Sequence, residues 1–120
     1  MPLVIKAECI DVKDGACTTV CPVDCIYEGE RTFYIHPTEC IECALCETVC
    51  PVDAIRYDDE LEPDEVKFVR INAAMFEDAE GHMTLPGGWS PHDRPLPDHP
   101  EVAAVPPREM PERRKVRHGR

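Results

Sequence analysis

With 120 residues and a net charge of −11, the chain has room for one domain with an appendage, and its acidity disfavours nucleic acid, whose phosphates need cations. Leu, Ile, Val and Phe number only 26, so an apolar core alone would be thin. Eight cysteines, all within the first 50 residues, are the obvious staple.

Taken in chain order, Leu3–Ile5 reads as a short strand. Ala16–Cys21 and Ala44–Cys50 read as short helical turns, each ended by Cys-Pro, because proline disfavours helix at the residue before it. Ile26–Tyr27 and Thr32–Ile35 read as strands joined by a turn over Glu28-Gly29-Glu30-Arg31. Ile55–Tyr57 is the returning strand. Pro63–Ala79 has Val66, Val69, Ala73 and Phe76 at helical spacing behind Asp64 and Glu65, which predicts a helix that covers the core.

From about Leu85 the texture changes. Residues 86–111 hold eight of the thirteen prolines, and only five Leu, Ile, Val or Phe follow residue 84. Such a segment is expected to bury little and to be extended or disordered when free. Trp89, the only tryptophan, is the candidate anchor, on the body or on a partner; the bland alternative is an exposed tail aromatic. The last sixteen residues reverse the charge, with six bases against two acids and a basic run Arg113-Arg114-Lys115-Val116-Arg117.

The N-terminus lacks a charged start followed by an apolar run, and no stretch approaches transmembrane length. A cytoplasmic location is expected, where disulfides are disfavoured. The remaining readings of the cysteines are zinc, iron–sulfur clusters or buried thiols.

An internal repeat decides among them. Thr19-Val20-Cys21-Pro22-Val23-Asp24-Cys25-Ile26 matches Thr48-Val49-Cys50-Pro51-Val52-Asp53-Ala54-Ile55 at all positions but one, with an offset of 29. The second copy reads Cys40-x2-Cys43-x2-Cys46-x3-Cys50-Pro. This is the bacterial iron–sulfur run, in which the fourth cysteine ligates the other cluster. Zinc sites use separate Cys pairs, so the fused and repeated pattern favours iron and sulfide. The first copy, Cys9-x7-Cys17-x3-Cys21-Pro, lacks the second cysteine, and Asp14 stands in the slot of Cys43.

Crossed ligation then gives unequal counts. Cys21, Cys40, Cys43 and Cys46 make four ligands and predict a [4Fe-4S] cluster. Cys9, Cys17 and Cys50 make three and predict a [3Fe-4S] cluster. The competing reading is a second [4Fe-4S] with Asp14 or water on the fourth iron. Cys25, whose repeat mate is Ala54, is left as a free thiol beside a cluster. His36 is read as structural, and His82, His92, His99 and His118 form no Cys/His knuckle.

Over residues 1 to about 80 the sequence resembles the bacterial seven-iron ferredoxins. The resemblance rests on Cys9 through Gly29, Tyr34-Ile35-His36-Pro37, Glu39 through Cys46 and Cys50 through Ile55. It implies an α+β, two-fold pseudo-symmetric bacterial ferredoxin fold with short strands, two cluster-binding loop-helices, a covering helix and an extended C-terminal tail. It implies the same two ligand sets and a free Cys25 near the [4Fe-4S] cluster. The expected division is a two-cluster core at 1–60, the covering helix at 61–84 and the Pro-rich tail at 85–120. The expected role is a one-electron carrier rather than an enzyme, docking redox enzymes on an acidic surface, without membrane insertion. The alternative is a tightly bound electron-relay subunit of a larger oxidoreductase, with the tail bound to a protein partner. Acidity that merely confers solubility is the plainer account of the charge.

Overall fold

Alternation along four three-residue strands sorts the protein into two apolar clusters. In the computed structural model, which describes residues 2–90 and 93–107, β1 (Leu3–Ile5) pairs antiparallel with β4 (Ile55–Tyr57), Leu3 opposite Tyr57. β2 (Ile26–Glu28) pairs antiparallel with β3 (Phe33–Ile35), Ile26 opposite Ile35. Successive strand residues face opposite sides. Leu3, Ile5, Ile26, Phe33 and Ile35 therefore join the cysteines in one cluster. Val4, Tyr27 and Tyr34 join the other, with residues of the following helix and the tail. The sequence pattern places these strands correctly, with the hairpin turn one residue later, over residues 29–32, closed by Gly29 N–H donating to Thr32 O (2.8 Å).

Two five-residue helices, α1 (Ala16–Val20) and α2 (Leu45–Val49), pack against each other on the cysteine side. Each ends at the cysteine before a proline, as the sequence predicts. A 3₁₀ turn over Ala7–Cys9 carries the chain from β1 into the first cysteine loop.

The covering helix is shorter than its pattern predicts. α3 spans Lys67–Ala74. The residues before it form tight i→i−3 turns, with Glu65 N–H on Glu62 O and Phe68 N–H on Glu65 O, and the same happens after it at Phe76 and Glu77. Its buried face also differs. Phe68, Ile71 and Asn72 face inward while Val66 is 52% exposed. The polar Asn72 hides the true face from any count of apolar residues.

Asn72 joins the two sheets. Its Oδ1 accepts from the N–H of Ile5 (3.2 Å) and of Ile35 (2.9 Å), and its Nδ2 donates to Ile5 O (3.0 Å) and Phe68 O (2.9 Å). A side-chain amide thus stands in for the ladder rung that β1 and β3 do not share.

The described part of the tail is largely exposed and irregular, yet it is tied to the body at several points. Trp89 N–H donates to Asp24 O (2.9 Å), and Leu96 N–H donates to Glu28 O (2.7 Å) beside a parallel bridge with Gly29. A four-residue helix, α4 (Pro100–Ala103), buries Val102 against Tyr34 and Ile10 in the second cluster. Val102 is the one buried residue among the described residues after 84, so the segment buries little of itself while its backbone is tied to the body. Proline reduces the freedom the chain must surrender on docking, and one buried Val side chain contributes about 1.5–3 kcal/mol. Gly29 makes room for the tail: a Cβ there would overlap the Tyr34 ring and lie 2.8 Å from Asp98 Oδ1. The basic run at residues 113–117 lies outside the described residues, as do His92 and His118.

Candidate metal centre

The cysteine loops are held in costly backbone. Among the described residues, the non-glycine residues with positive φ are Asp11, Lys13, Asp24, Glu42, Ala44 and Asp53, all in these loops or in the Cys-Pro turns. Each costs on the order of 1 kcal/mol, a cost that persists where surrounding structure fixes it. The offset of 29 pairs all of them but Asp11, once Gly15 is counted. Lys13 matches Glu42 (φ 44 and 63), Asp24 matches Asp53 (both 52), and Gly15 matches Ala44 (81 and 62) as the residues that open α1 and α2.

The eight cysteines are free thiols gathered around two recesses. The first is lined by Cys9, Cys17 and Cys50, with Asp14, Phe33 and Pro51. The second is lined by Cys21, Cys40, Cys43 and Cys46, with Cys25, Ile41 and Glu42. The first recess gathers Cys9, Cys17 and Cys50, and the second gathers Cys21, Cys40, Cys43 and Cys46 together with Cys25. α1 sends Cys17 to the first recess and its C-cap Cys21 to the second. α2 sends Cys46 to the second and its C-cap Cys50 to the first.

The recesses differ in exposure. Cys9, Cys17 and Cys50 are buried, whereas Cys43 is exposed beside Ile41 (55%) and Leu45 (49%). Burial drives the electrostatics. It raises the Cys9 thiol, raises Cys17 well above the ordinary thiol range and raises Cys46 to about 12. A hydrogen bond from Cys25 lowers Cys40 to about 6. Cys25 is raised by that same bond, then by burial. Its Sγ lies 3.5 Å from the Cys21 sulfur, inside the second recess.

Such donors fit an iron–sulfur group. They are soft, they converge, and buried thiols that resist ionisation when alone are deprotonated by a coordinated metal. Backbone amides already aim at sulfur, among them Cys25 N–H at Cys21 (3.4 Å), Glu42 N–H at Cys40 (3.4 Å) and Ala54 N–H at Cys50 (3.3 Å).

His36 is structural in its contacts. It is fully buried, its Nε2 meets Thr84 O (2.6 Å), and its Nδ1 accepts from Thr38 N–H and Glu39 N–H (3.1 and 3.2 Å). Its carbonyl accepts from Cys40 N–H (3.1 Å), which fixes the start of the second loop. His99 caps α4, and His82 is exposed. Neither they nor His36 line a recess. Sequence reading missed Asn72, Arg31 and the Tyr27–Glu39 pair. Tyr27 donates to Glu39 Oε1 (2.5 Å) and accepts from Gly88 N–H (2.8 Å). No local spacing signals any of these contacts.

Paired thiol recesses of this kind define the class of iron–sulfur proteins. Residues 33–56 match the 4Fe-4S binding domain family. The chain is 48% identical to a ferredoxin of Streptomyces griseus over 87% of its length and 95% of the relative's. It is 42% identical to a ferredoxin of Mycobacterium tuberculosis over 88% and 96% of the two chains. A "Ferredoxin 7Fe" of Hydrogenibacillus schlegelii is 46% identical over 64% of this chain and 99% of its own. The chain belongs to the bacterial ferredoxin family, and is an iron–sulfur electron carrier of that class. Among the described residues no helix is long and apolar enough to cross a membrane.

Proposed function

We propose that the protein is a one-electron carrier with a [3Fe-4S] cluster on Cys9, Cys17 and Cys50 and a [4Fe-4S] cluster on Cys21, Cys40, Cys43 and Cys46. The observation that carries this reading is the division of the eight thiols into a recess of three and a recess of five, where Cys25, whose repeat mate is Ala54, is left out of the ligand set. The name of the Hydrogenibacillus schlegelii relative points the same way. When bound, such clusters supply reversible one-electron iron chemistry. The chain's own part is to exclude water from Cys9, Cys17 and Cys50, and to donate backbone N–H bonds to cysteine sulfur. Both are levers on reduction potential. Residues 1–60 form the two-copy core, related by a local two-fold, with 61–84 covering it and 85–120 as the tail.

The partners are redox enzymes that present basic surfaces to the acidic body, in complexes weakened by salt. The relay-subunit alternative rests on a tail free to wrap another subunit. In the described residues the tail lies on the protein's own body instead. Asp14, which lines the first recess, favours one second reading, a fourth iron held there by its carboxylate.

Iron and sulfide analysis with EPR of anaerobically purified protein tests both. About seven irons and a [3Fe-4S] signal in the oxidised state are expected. About eight irons without that signal would establish the second reading. Zinc without sulfide would overturn both.

A further inference from the structure

The seven residues between Cys9 and Cys17 include two that the shorter second loop lacks, and two that are left-handed, Asp11 and Lys13. Arg31 on the β2–β3 hairpin holds this loop from outside. Its carbonyl accepts from Asp11 N–H (2.8 Å), and its Nε and Nη2 donate to the two carboxylate oxygens of Asp11 (2.8 and 2.6 Å). Its remaining nitrogen is turned to the tail. Nη1 donates to the carbonyls of Val102 (2.9 Å) and Val105 (2.5 Å) at the end of α4. The Arg31 N–H donates to Asp98 Oδ1 (3.2 Å), which also accepts from Tyr34 OH (2.9 Å). One planar fork thus grips a carboxylate on the loop and carbonyls on the tail at once. Lysine, with its single ammonium on a flexible stem, does not reproduce this geometry.

We propose that tail residues 96–105 form a clasp that acts through Arg31 to position the Cys9–Cys17 loop, which makes Arg31 and Asp98 positioning residues for the first cluster. The tail orients the guanidinium, and the oriented guanidinium holds Asp11. Gly29 fits the same account, since the hairpin leaves out a side chain where Asp98 seats. The cluster assignment rests on the function proposed above; the clasp itself does not.

The test uses the full chain carrying its clusters. Asp98→Ala removes a contact to Arg31 and Tyr34 and touches neither recess. Hydrogen exchange by mass spectrometry over residues 10–16 is expected to quicken about tenfold, the equivalent of one lost hydrogen bond. Loss of the [3Fe-4S] EPR signal to a chelator is expected to quicken by a similar factor, while the [4Fe-4S] signal of the reduced protein decays at its original rate. Asp98→Asn, which keeps the acceptor oxygen, restores both. Arg31→Gln reproduces the Asp98→Ala effect, and the two together add nothing further. Unchanged exchange in Asp98→Ala would overturn the clasp, and so would equal acceleration at both sites, which marks general destabilisation. If the unmodified protein shows no [3Fe-4S] signal, the cluster reading fails while exchange over residues 10–16 still decides the clasp.

Discussion

Cys50→Ala is expected to strip iron from the recess lined by Cys9 and Cys17, and to spare the recess lined by Cys50's own sequence neighbours Cys40, Cys43 and Cys46. The reason is the length and placement of α2. Cys46 and Cys50 are four residues apart, about 6 Å along a helix axis. That separation delivers one sulfur to each recess. Loss of Cys50 leaves two thiols in the first recess, too few to hold a cluster that starts with three. Iron per chain should fall by about three and the [3Fe-4S] signal should vanish, with the [4Fe-4S] signal of the reduced protein retained. Cys21→Ala should do the reverse, since α1 repeats the arrangement. A Cys50→Ala protein that keeps its [3Fe-4S] signal and loses the other would show that ligation follows sequence order, and the crossed assignment would be abandoned.

The second large effect is expected away from any sulfur. Asn72→Leu keeps the volume and removes the amide. The N–H groups of Ile5 and Ile35 and the carbonyl of Ile5 then lose partners in a buried setting. Each such orphan costs about 1–3 kcal/mol, so a total of about 3–5 kcal/mol is reasonable. The two sheets also lose the side chain that ties β1 to β3. Clusters make unfolding of such proteins irreversible in practice, so the measurement is kinetic: the rate at which visible cluster absorbance is lost in denaturant. A rate within about twofold of the unmodified protein, equivalent to about 0.4 kcal/mol, would show that Asn72 is replaceable and the account of the sheet junction wrong.

The parts of this molecule that could be read from sequence are those in which local spacing carries the information. Cys40-x2-Cys43-x2-Cys46-x3-Cys50-Pro specifies loop, helix and stop within twelve residues, and its partial copy specifies what is missing. The strands alternate, and the alternation puts Tyr27 and Tyr34 on one face of the hairpin and Ile26 and Ile35 on the other. Long-range polar contacts leave no such trace. Asn72 looks like a solvent residue and so rotates the apparent face of α3 toward Val66. Arg31 looks like a turn residue, yet it reaches across 71 positions to Val102. The tail's composition tells how little it can bury, and Val102 is the one buried residue among its described positions, but composition does not tell where a waiting surface receives it. Val102, Leu96 and Trp89 suffice because Val4, Tyr27 and Tyr34 already form the other half of the cluster.

The matched Cys-Pro turns have a practical meaning: they are interchangeable parts. Cys21 and Cys50 share φ −74 with ψ of 116 and 117, and the aspartates three residues on share φ 52. Each turn closes with an amide on its own sulfur, from Cys25 in one and Ala54 in the other. The chain therefore contains its own controlled comparison, a cysteine and an alanine grown on the same backbone template. Whatever Cys25 contributes lies in its sulfur and not in the turn, and a graft of one turn onto the other would isolate that contribution.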